Sequence, residues 1–215
     1  MGREVAKSLV ALGGIPLFAH SLRAAALCSS IGSAVVVFRE DDLETASRLT
    51  FALRDIVPVS AVVSGGATRQ ESVRRGLAAV PDGVTVVVCH DAARPFASPA
   101  LFDRVVEAVS GAYRGAVPGM PSADTVKRVE AGRVVETLPR ERLVLVQTPQ
   151  AFDAEALRGA HDRAAAEAWE VTDDAMLLEL AGHAVAVVPG EARNFKITTE
   201  ADLRRAESLV GSGEL

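Results

Sequence analysis

With 215 residues, 49% of them hydrophobic, and a mean hydropathy of +0.22, the chain can bury a sizeable core and fits one domain over 1–215. A net charge of −5 and a pI near 5.4 argue against a nucleic-acid coat or a membrane-surface binder, so a polyanion site has to be a local basic cluster. Two cysteines in apolar settings, Cys28 and Cys89, make no disulfide framework and suit a reducing cytoplasm; the opening MGREVAKSL lacks the apolar core of a signal peptide, and no apolar run reaches the roughly 18 residues of a membrane span.

Residues 17–27 read as an Ala-rich helix, 34–38 as a buried strand, 42–53 as a helix and 57–63 as a strand. Gly65-Gly66 turns the chain into an amphipathic helix over 68–80. Residues 84–88 are β-branched with no polar alternation, the pattern of a strand buried on both faces of a parallel sheet. A helix is expected at 98–110. A short strand starts at 115–117, and Pro118 and Pro121 are expected to break it. The stretch TVKRVEAGRVVETL, 125–138, alternates apolar and charged residues on both sides of Ala131-Gly132, a β-hairpin pattern. It is too polar for a core and predicts a protruding β-arm at about 121–142. A lone two-stranded ribbon is marginally stable, so the arm is expected to pack on a second copy of itself. Residues 143–147 read as a strand and 154–168 as a helix. Thr172-Asp173-Asp174 caps a helix ending near Gly182. Residues 184–188 and 195–198 read as strands, and Thr199-Glu200-Ala201-Asp202 opens a last helix with capping-box character. Alternating strands and helices predict an α/β fold with a three-layer, mostly parallel sheet.

In such sheets ligands bind beyond the carboxyl ends of the strands. The 84–88 strand runs straight into Cys89, His90 and Asp91. A carboxylate there can offer Mg²⁺ a hard oxygen ligand, and it equally suits the cap of a following turn. Lysine is scarce, three against 20 arginines. Lys7, Lys127 and Lys196 are either chance survivors or places where a compact ammonium is wanted, such as a point charge on phosphate. Lys196 lies among apolar neighbours and needs an anionic partner. In GGATRQES, two glycines before a helix allow backbone N–H groups to approach a ligand, and a plain left-handed turn explains them as well. No Cys/His metal cluster and no GxGxxG is present.

The ordered set GGATRQES, HDAARP, DTVK, QTPQ, TDDA and NFKITTEADLRRAE resembles the 2-C-methyl-D-erythritol 4-phosphate cytidylyltransferases of the non-mevalonate isoprenoid pathway, from about Leu9 to Glu207. The resemblance implies a Rossmann-like nucleotidyltransferase, a homodimer with interlocked arms, and a Mg²⁺-dependent reaction. In it the 4-phosphate of the substrate attacks the α-phosphorus of CTP and pyrophosphate leaves. Similarity assigns cytidine and ribose recognition to Gly66, Ala67 and Ser72, and Mg²⁺ to Asp91. It assigns methylerythritol phosphate binding to Arg94, Thr125, Thr148 and Thr172, with Arg140 handed by the arm to the partner's site. Lys196 would steady the α-phosphate. Lys7 matches the lysine of a Pro-Lys pair, with Ala6 in the proline's place, and Lys127 is expected to serve the arm alone. Joining two anions asks a protein for positioning and charge neutralisation, which these residue types supply.

Family members also open with a buried strand and a Gly-rich AAGxGxR loop ahead of the residues matching Met1-Gly2-Arg3. The expectation is a start placed too late, with that strand central in the sheet. Its loss should leave apolar edges at 34–38 or 84–88. Two alternatives stand beside this reading. Ribitol-5-phosphate cytidylyltransferases share fold and chemistry, but their motif runs closer to HDSVRP, and Ala92-Ala93 leans away from it. A non-catalytic nucleotide-binding or dimerisation protein would keep the pocket without the phosphate loop.

Overall fold

The computed structural model describes residues 7–53 and 58–212. After a 3-10 turn at Lys7–Leu9, a hairpin of β1 (Ala11–Leu12) and β2 (Ile15–Pro16) leads into α1 (Leu17–Ala26). Then come β3 (Ala34–Phe38), α2 (Leu43–Ala52), β4 (Val59–Ser64), α3 (Arg69–Ala78), β5 (Val86–Cys89) and α4 (Pro99–Ala108). The chain continues through β6 (Tyr113–Pro121), β7 (Lys127–Glu130), β8 (Arg133–Thr137), β9 (Val144–Val146) and β10 (Gln150–Asp153). It closes with α5 (Ala154–Glu167), α6 (Asp174–Leu180), β11 (Ala184–Pro189) and α7 (Glu200–Gly211).

Side-chain caps fix the helix starts. Thr68, Ser98, Asp153, Asp173 and Thr199 each accept an otherwise unpaired N–H from the first turn of α3, α4, α5, α6 and α7. Each cap contributes about 1 kcal/mol. In α7 the cap is reciprocal, because Asp202 accepts back from Thr199, as its sequence spacing predicts.

The main sheet has the order β11-β6-β10-β5, with β9 also on β6. β11 and β6 are parallel, and β10 runs antiparallel between β6 and β5, so β5, β6 and β11 share one direction. β3 and β4 form a separate parallel pair. Burial follows the two-residue period of a strand. Phe152 and Val117 face α3, α5 and α6, while Ala151 and Ala116 face α4. In β3, Phe38 packs with Phe18 of α1 and Ala46 of α2, whereas Val37 approaches Gly76 of α3. The result is three layers, as expected from the alternation of strands and helices.

Three expectations are corrected. Residues 195–198 form no strand: the Ile197 N–H bonds to Ala93 O outside any ladder, and the Phe195 ring stacks on Phe96 at 5.4 Å. Residues 150–153, given no strand from sequence, form β10. The prolines do not break β6. Pro118 O accepts the N–H of Gln147, so the position of its missing N–H faces the turn between β9 and β10, where no ladder bond is due.

β3 and β5 face each other across a cleft of about 960 Å³. Its walls are the two strands, α1 and α4 on one side and α3 on the other, with Phe18, Leu22, Val73, Leu77 and Phe102 among the lining residues. Among the described residues no strand pairs with these two edges.

Candidate active site

The ends of parallel β3 and β4 meet where Gly65 N–H donates to Phe38 O, Arg69 beyond β4 reaches Asp91 beyond β5, and β10 starts beside the end of β5. The loop after β4 folds on itself. Gly66 N–H donates to Ser72 Oγ at 3.0 Å, and Ala67 N–H donates to a Glu71 carboxylate oxygen at 2.8 Å. Arg75 binds both Glu71, at 2.6 Å, and Gly65 O, at 2.9 Å. That Ala67 amide, together with Arg75, holds the Glu71 carboxyl below its ordinary range. A Cβ at Gly66 would collide with the Glu71 side chain, so glycine is required there. The three residues assigned to the nucleotide thus sit together, Gly66 and Ser72 on the cleft wall, with the Gly66 and Ala67 amides held by Ser72 and Glu71.

Beyond β5, Asp91 lies in a cage of cations. Lys196 Nζ donates to Asp91 Oδ2 at 2.7 Å, and Arg69 Nε stands 3.7 Å from Asp91 Oδ1. Burial pushes the Asp91 carboxyl up, and Lys196 with Arg69 outweighs it, leaving the group below the ordinary carboxylate range. Lys196 is exposed rather than buried among its apolar neighbours, and its anionic partner is Asp91, 105 residues away in sequence.

The Asp91 backbone is held as well. Its N–H donates to Thr148 Oγ1 at 3.0 Å, and Thr148 Oγ1 lies 3.2 Å from His90 Nδ1. His90 Nε2 lies 3.2 Å from Arg94 O, which can only accept. The consistent tautomer carries its proton on Nε2, so Nδ1 accepts the Thr148 hydroxyl. Burial takes the His90 imidazole down to about 4, although Asp91 pulls the other way.

Arg94 points to Asn194 O at 2.7 Å, and its buried Nε has no hydrogen-bond partner. Gln147 and Asn194 lock two loops together. Gln147 Oε1 accepts from Glu191 N and Asn194 Nδ2, Gln147 Nε2 donates to Glu191 O, and Asn194 Nδ2 also reaches Thr148 O at 2.8 Å. QTPQ and NFK thus brace Lys196 from below. Gln150 extends the brace to Asp173 at 3.1 Å, beside exposed Thr172.

The remaining candidates lie apart. Thr125 is exposed at the arm's base, and Arg140 donates to Ala123 O at 2.6 Å, within the arm. Lys127 Nζ donates to Thr137 Oγ1 at 2.6 Å across the arm, the structural part expected of it. Lys7 begins the first 3-10 turn, and its side chain, like all of Arg3, lies outside the described residues.

Sequence reasoning passed over Arg69, Asp174 and His161. Asp174 is fully buried at the start of α6; Arg69 Nη2 meets it at 2.9 Å and His161 Nε2 lies 3.6 Å away. Burial lowers the Arg69 guanidinium, and Asp174 with Asp91 more than restores it. The available signal was the second aspartate of TDDA. One aspartate suffices as the cap, and the next is followed by an apolar run that draws it inward.

For a metal, the described residues hold no group of three or more His, Cys, Asp or Glu side chains. At the carboxyl end of β5, Asp91 offers carboxylate oxygens. That suits Mg²⁺, which commonly takes one or two carboxylates and completes its shell with water and substrate phosphates.

The model of the family described as IspD, 2-C-methyl-D-erythritol 4-phosphate cytidylyltransferase, matches residues 1–212. The chain belongs to this family. It is 47% identical over 205 residues to a bifunctional IspD/IspF enzyme of Nitratidesulfovibrio vulgaris, covering 94% of this chain and 52% of that one. It therefore spans about half the length of such bifunctional relatives. Against the 2-C-methyl-D-erythritol 4-phosphate cytidylyltransferase of Synechocystis it is 42% identical, covering 98% of this chain and 91% of the other. The crystal structure of 4-diphosphocytidyl-2C-methyl-D-erythritol synthase from Anaerococcus prevotii superposes with a TM-score of 0.84 at 30% identity, over 94% of this chain and 88% of that one. The 2-C-methyl-D-erythritol 4-phosphate cytidylyltransferase of Thermus thermophilus gives 0.80 at 36% identity, over 95% and 94%. The family's mixed α/β sheet with flanking helices is the fold seen here.

Proposed function

We propose that this chain transfers CMP from CTP to 2-C-methyl-D-erythritol 4-phosphate and releases pyrophosphate. The observation that carries the reading is Asp91, a carboxylate at a strand end clamped by Lys196 and Arg69, in a chain whose family membership runs over nearly its whole length. The oxygen attacking the α-phosphorus and the pyrophosphate leaving it are both anionic, so the site has to gather positive charge. Lys196 donates one N–H to Asp91 and has two left for phosphate oxygens. Asp91 would hold Mg²⁺, which when bound neutralises triphosphate charge and polarises the phosphoryl oxygens. Thr148 and His90 fix the backbone from which Asp91 projects. The Gly66–Ser72 loop would take the cytidine, its amides exchanging Glu71 for the base. Arg94 and Thr172, with Thr148, would face the methylerythritol phosphate.

Arg140 and Thr125 would reach the site across a homodimer. Its support is the exposed apolar set Val129, Val134, Val135, Val144, Leu145 and Val146 on and beside the arm. Free Cys28 and Cys89 support a cytoplasmic location, and among the described residues no helix is long and apolar enough to cross a membrane.

The test is pyrophosphate release from CTP with methylerythritol phosphate or with ribitol 5-phosphate, for the wild type and Asp91→Asn. Release with methylerythritol phosphate only, lost in the Asn variant at unchanged melting temperature, is expected. Near-normal turnover by Asp91→Asn would reduce Asp91 to a turn residue. Preference for ribitol 5-phosphate would move the chain to the sister activity. CTP binding without turnover would favour a binding protein.

A further inference from the structure

Asp174 is the most completely buried carboxylate among the described residues, and no step above uses it. It lies on α6, behind Arg69, while Asp91 lies in front. Arg69 spans them, with Nη2 at 2.9 Å from Asp174 Oδ2 and Nε at 3.7 Å from Asp91 Oδ1. The guanidinium is thus held by the rear carboxylate and only leans on the front one. His161, itself buried, stands 3.6 Å from the other Asp174 oxygen and closes the far side. The Asp173 cap on Met176 N–H and its bond from Gln150 hold the first turn of α6, so Asp174 has little freedom to follow Arg69 outward.

We infer that Asp174 is a positioning residue that draws Arg69 back from Asp91, leaving Asp91 Oδ1 open to a divalent cation while keeping the Arg69 charge beside the triphosphate. The geometry requires this division of labour. A carboxylate paired at close range with both a lysine and an arginine would be a poor metal ligand, because each cation competes with the metal for the same lone pairs. Lys196 occupies Oδ2. Without Asp174, the nearest carboxylate to the Arg69 guanidinium would be Asp91, and Oδ1 would be covered as well. Asp174 therefore acts through Arg69 on the availability of Asp91. The inference rests on the cytidylyl-transfer reading of the site and adds to it the residue that sets its metal requirement.

The experiment measures Mn²⁺ occupancy by electron paramagnetic resonance at saturating CTP, alongside turnover with Mg²⁺ and thermal melts. Asp174→Asn keeps the shape and removes the charge. It is expected to raise the Mn²⁺ concentration for half occupancy about tenfold, near the low end for a residue standing behind a metal ligand. The Mg²⁺ concentration for half-maximal turnover should rise in parallel, and adding Arg69→Gln should abolish the effect of Asp174→Asn. Arg69→Gln alone should lower the half-occupancy concentration, because Asp91 loses a competitor; this arm stands if Asp174→Asn fails to fold. An unchanged requirement in either folded variant, or an Asp174 effect that persists in the Arg69→Gln background, overturns the inference and leaves the cytidylyl-transfer reading intact. A wild type that takes up no Mn²⁺ with CTP overturns both.

Discussion

His90 is tied through Thr148 to the backbone from which Asp91 projects. Its Nε2–H is committed to Arg94 O, its Nδ1 accepts from Thr148, and Thr148 in turn accepts the Asp91 N–H. The folded imidazole lies at about 4 against an ordinary 6.5, so between those values the unfolded chain binds the extra proton. The stability conferred by neutral His90 is fully present above pH 6.5 and is lost as pH falls towards 4. Asp91, held low, acts in the same direction further down the scale, because its contribution is lost as pH falls through its folded value. The loss from His90 should approach about 3 kcal/mol at most. Urea melts from pH 4.5 to 7.5 should show unfolding free energy rising with pH in the wild type and a flatter profile in His90→Asn; equal slopes would remove His90 from this account. Asp91 and Lys196 were legible in the sequence because each is locally odd, a carboxylate ending an apolar strand and a rare lysine among apolar neighbours. Arg69, His161 and Asp174 were not. Each has an adequate local explanation on its own helix, and only folding brings positions 69, 161 and 174 together.

At the scale of elements, the arm's hairpin turn was readable at Ala131-Gly132, while its strands are shorter than the 125–138 pattern. β7 and β8 turn through Ala131 and Gly132, both at positive φ, 47° and 77°, the two-residue loop that suits the twist of a hairpin. Ala131 carries a Cβ into a conformation that favours Gly, Asn or Asp. Ala131→Asn should therefore stabilise the hairpin by about 0.5–1 kcal/mol without altering its register, visible as slower amide exchange at Val129 and Val134. Unchanged or faster exchange would mean that the turn is not what limits the arm. If the arm's exposed valines meet a second copy, deleting residues 129–135 should shift sedimentation from dimer to monomer, and a deletion variant that stays dimeric would place the interface elsewhere. β10 was hidden for the opposite reason: only Ala151 and Phe152 are apolar, flanked by Gln150 and Asp153, too short a run to show a period. The 195–198 stretch has strand-like composition, but Phe195 is held from both sides, stacked on Phe96 and covered by Arg205 at 4.1 Å, and Lys196 turns to Asp91. Tertiary contacts there override β propensity.

For the whole molecule, the three layers follow from the alternation of strands and helices, but the antiparallel insertion of β10 between β5 and β6 does not, because order in a sheet is a property of pairing between distant segments. The cleft between β3 and β5 is the feature with the largest consequence. Two strands that face apolar helices on both sides present backbone edges to each other across about 960 Å³, with Asp91, Arg69 and Gly66 at its mouth. Unpaired edges exchange their amides readily and cost stability. Amides of Val35–Phe38 and Val86–Cys89 that face the cleft should exchange faster than those of β6 and β10, which are paired on both sides. Extending the chain upstream with an apolar strand and a Gly-rich loop should slow that exchange and raise the melting temperature. If the chain carries out the proposed transfer, the extension should also raise that rate at least about a hundredfold, the scale of adding preorganised donors to a developing oxyanion. Both versions would be compared by hydrogen exchange and by pyrophosphate release with CTP and methylerythritol phosphate. Protection of β3 and β5 equal to that of β6 in the 215-residue chain would mean the cleft closes in solution. Equal rates in the two versions would mean that Lys196, Arg69 and Asp91 suffice for the triphosphate, and the phosphate site would then lie wholly on the loops described here.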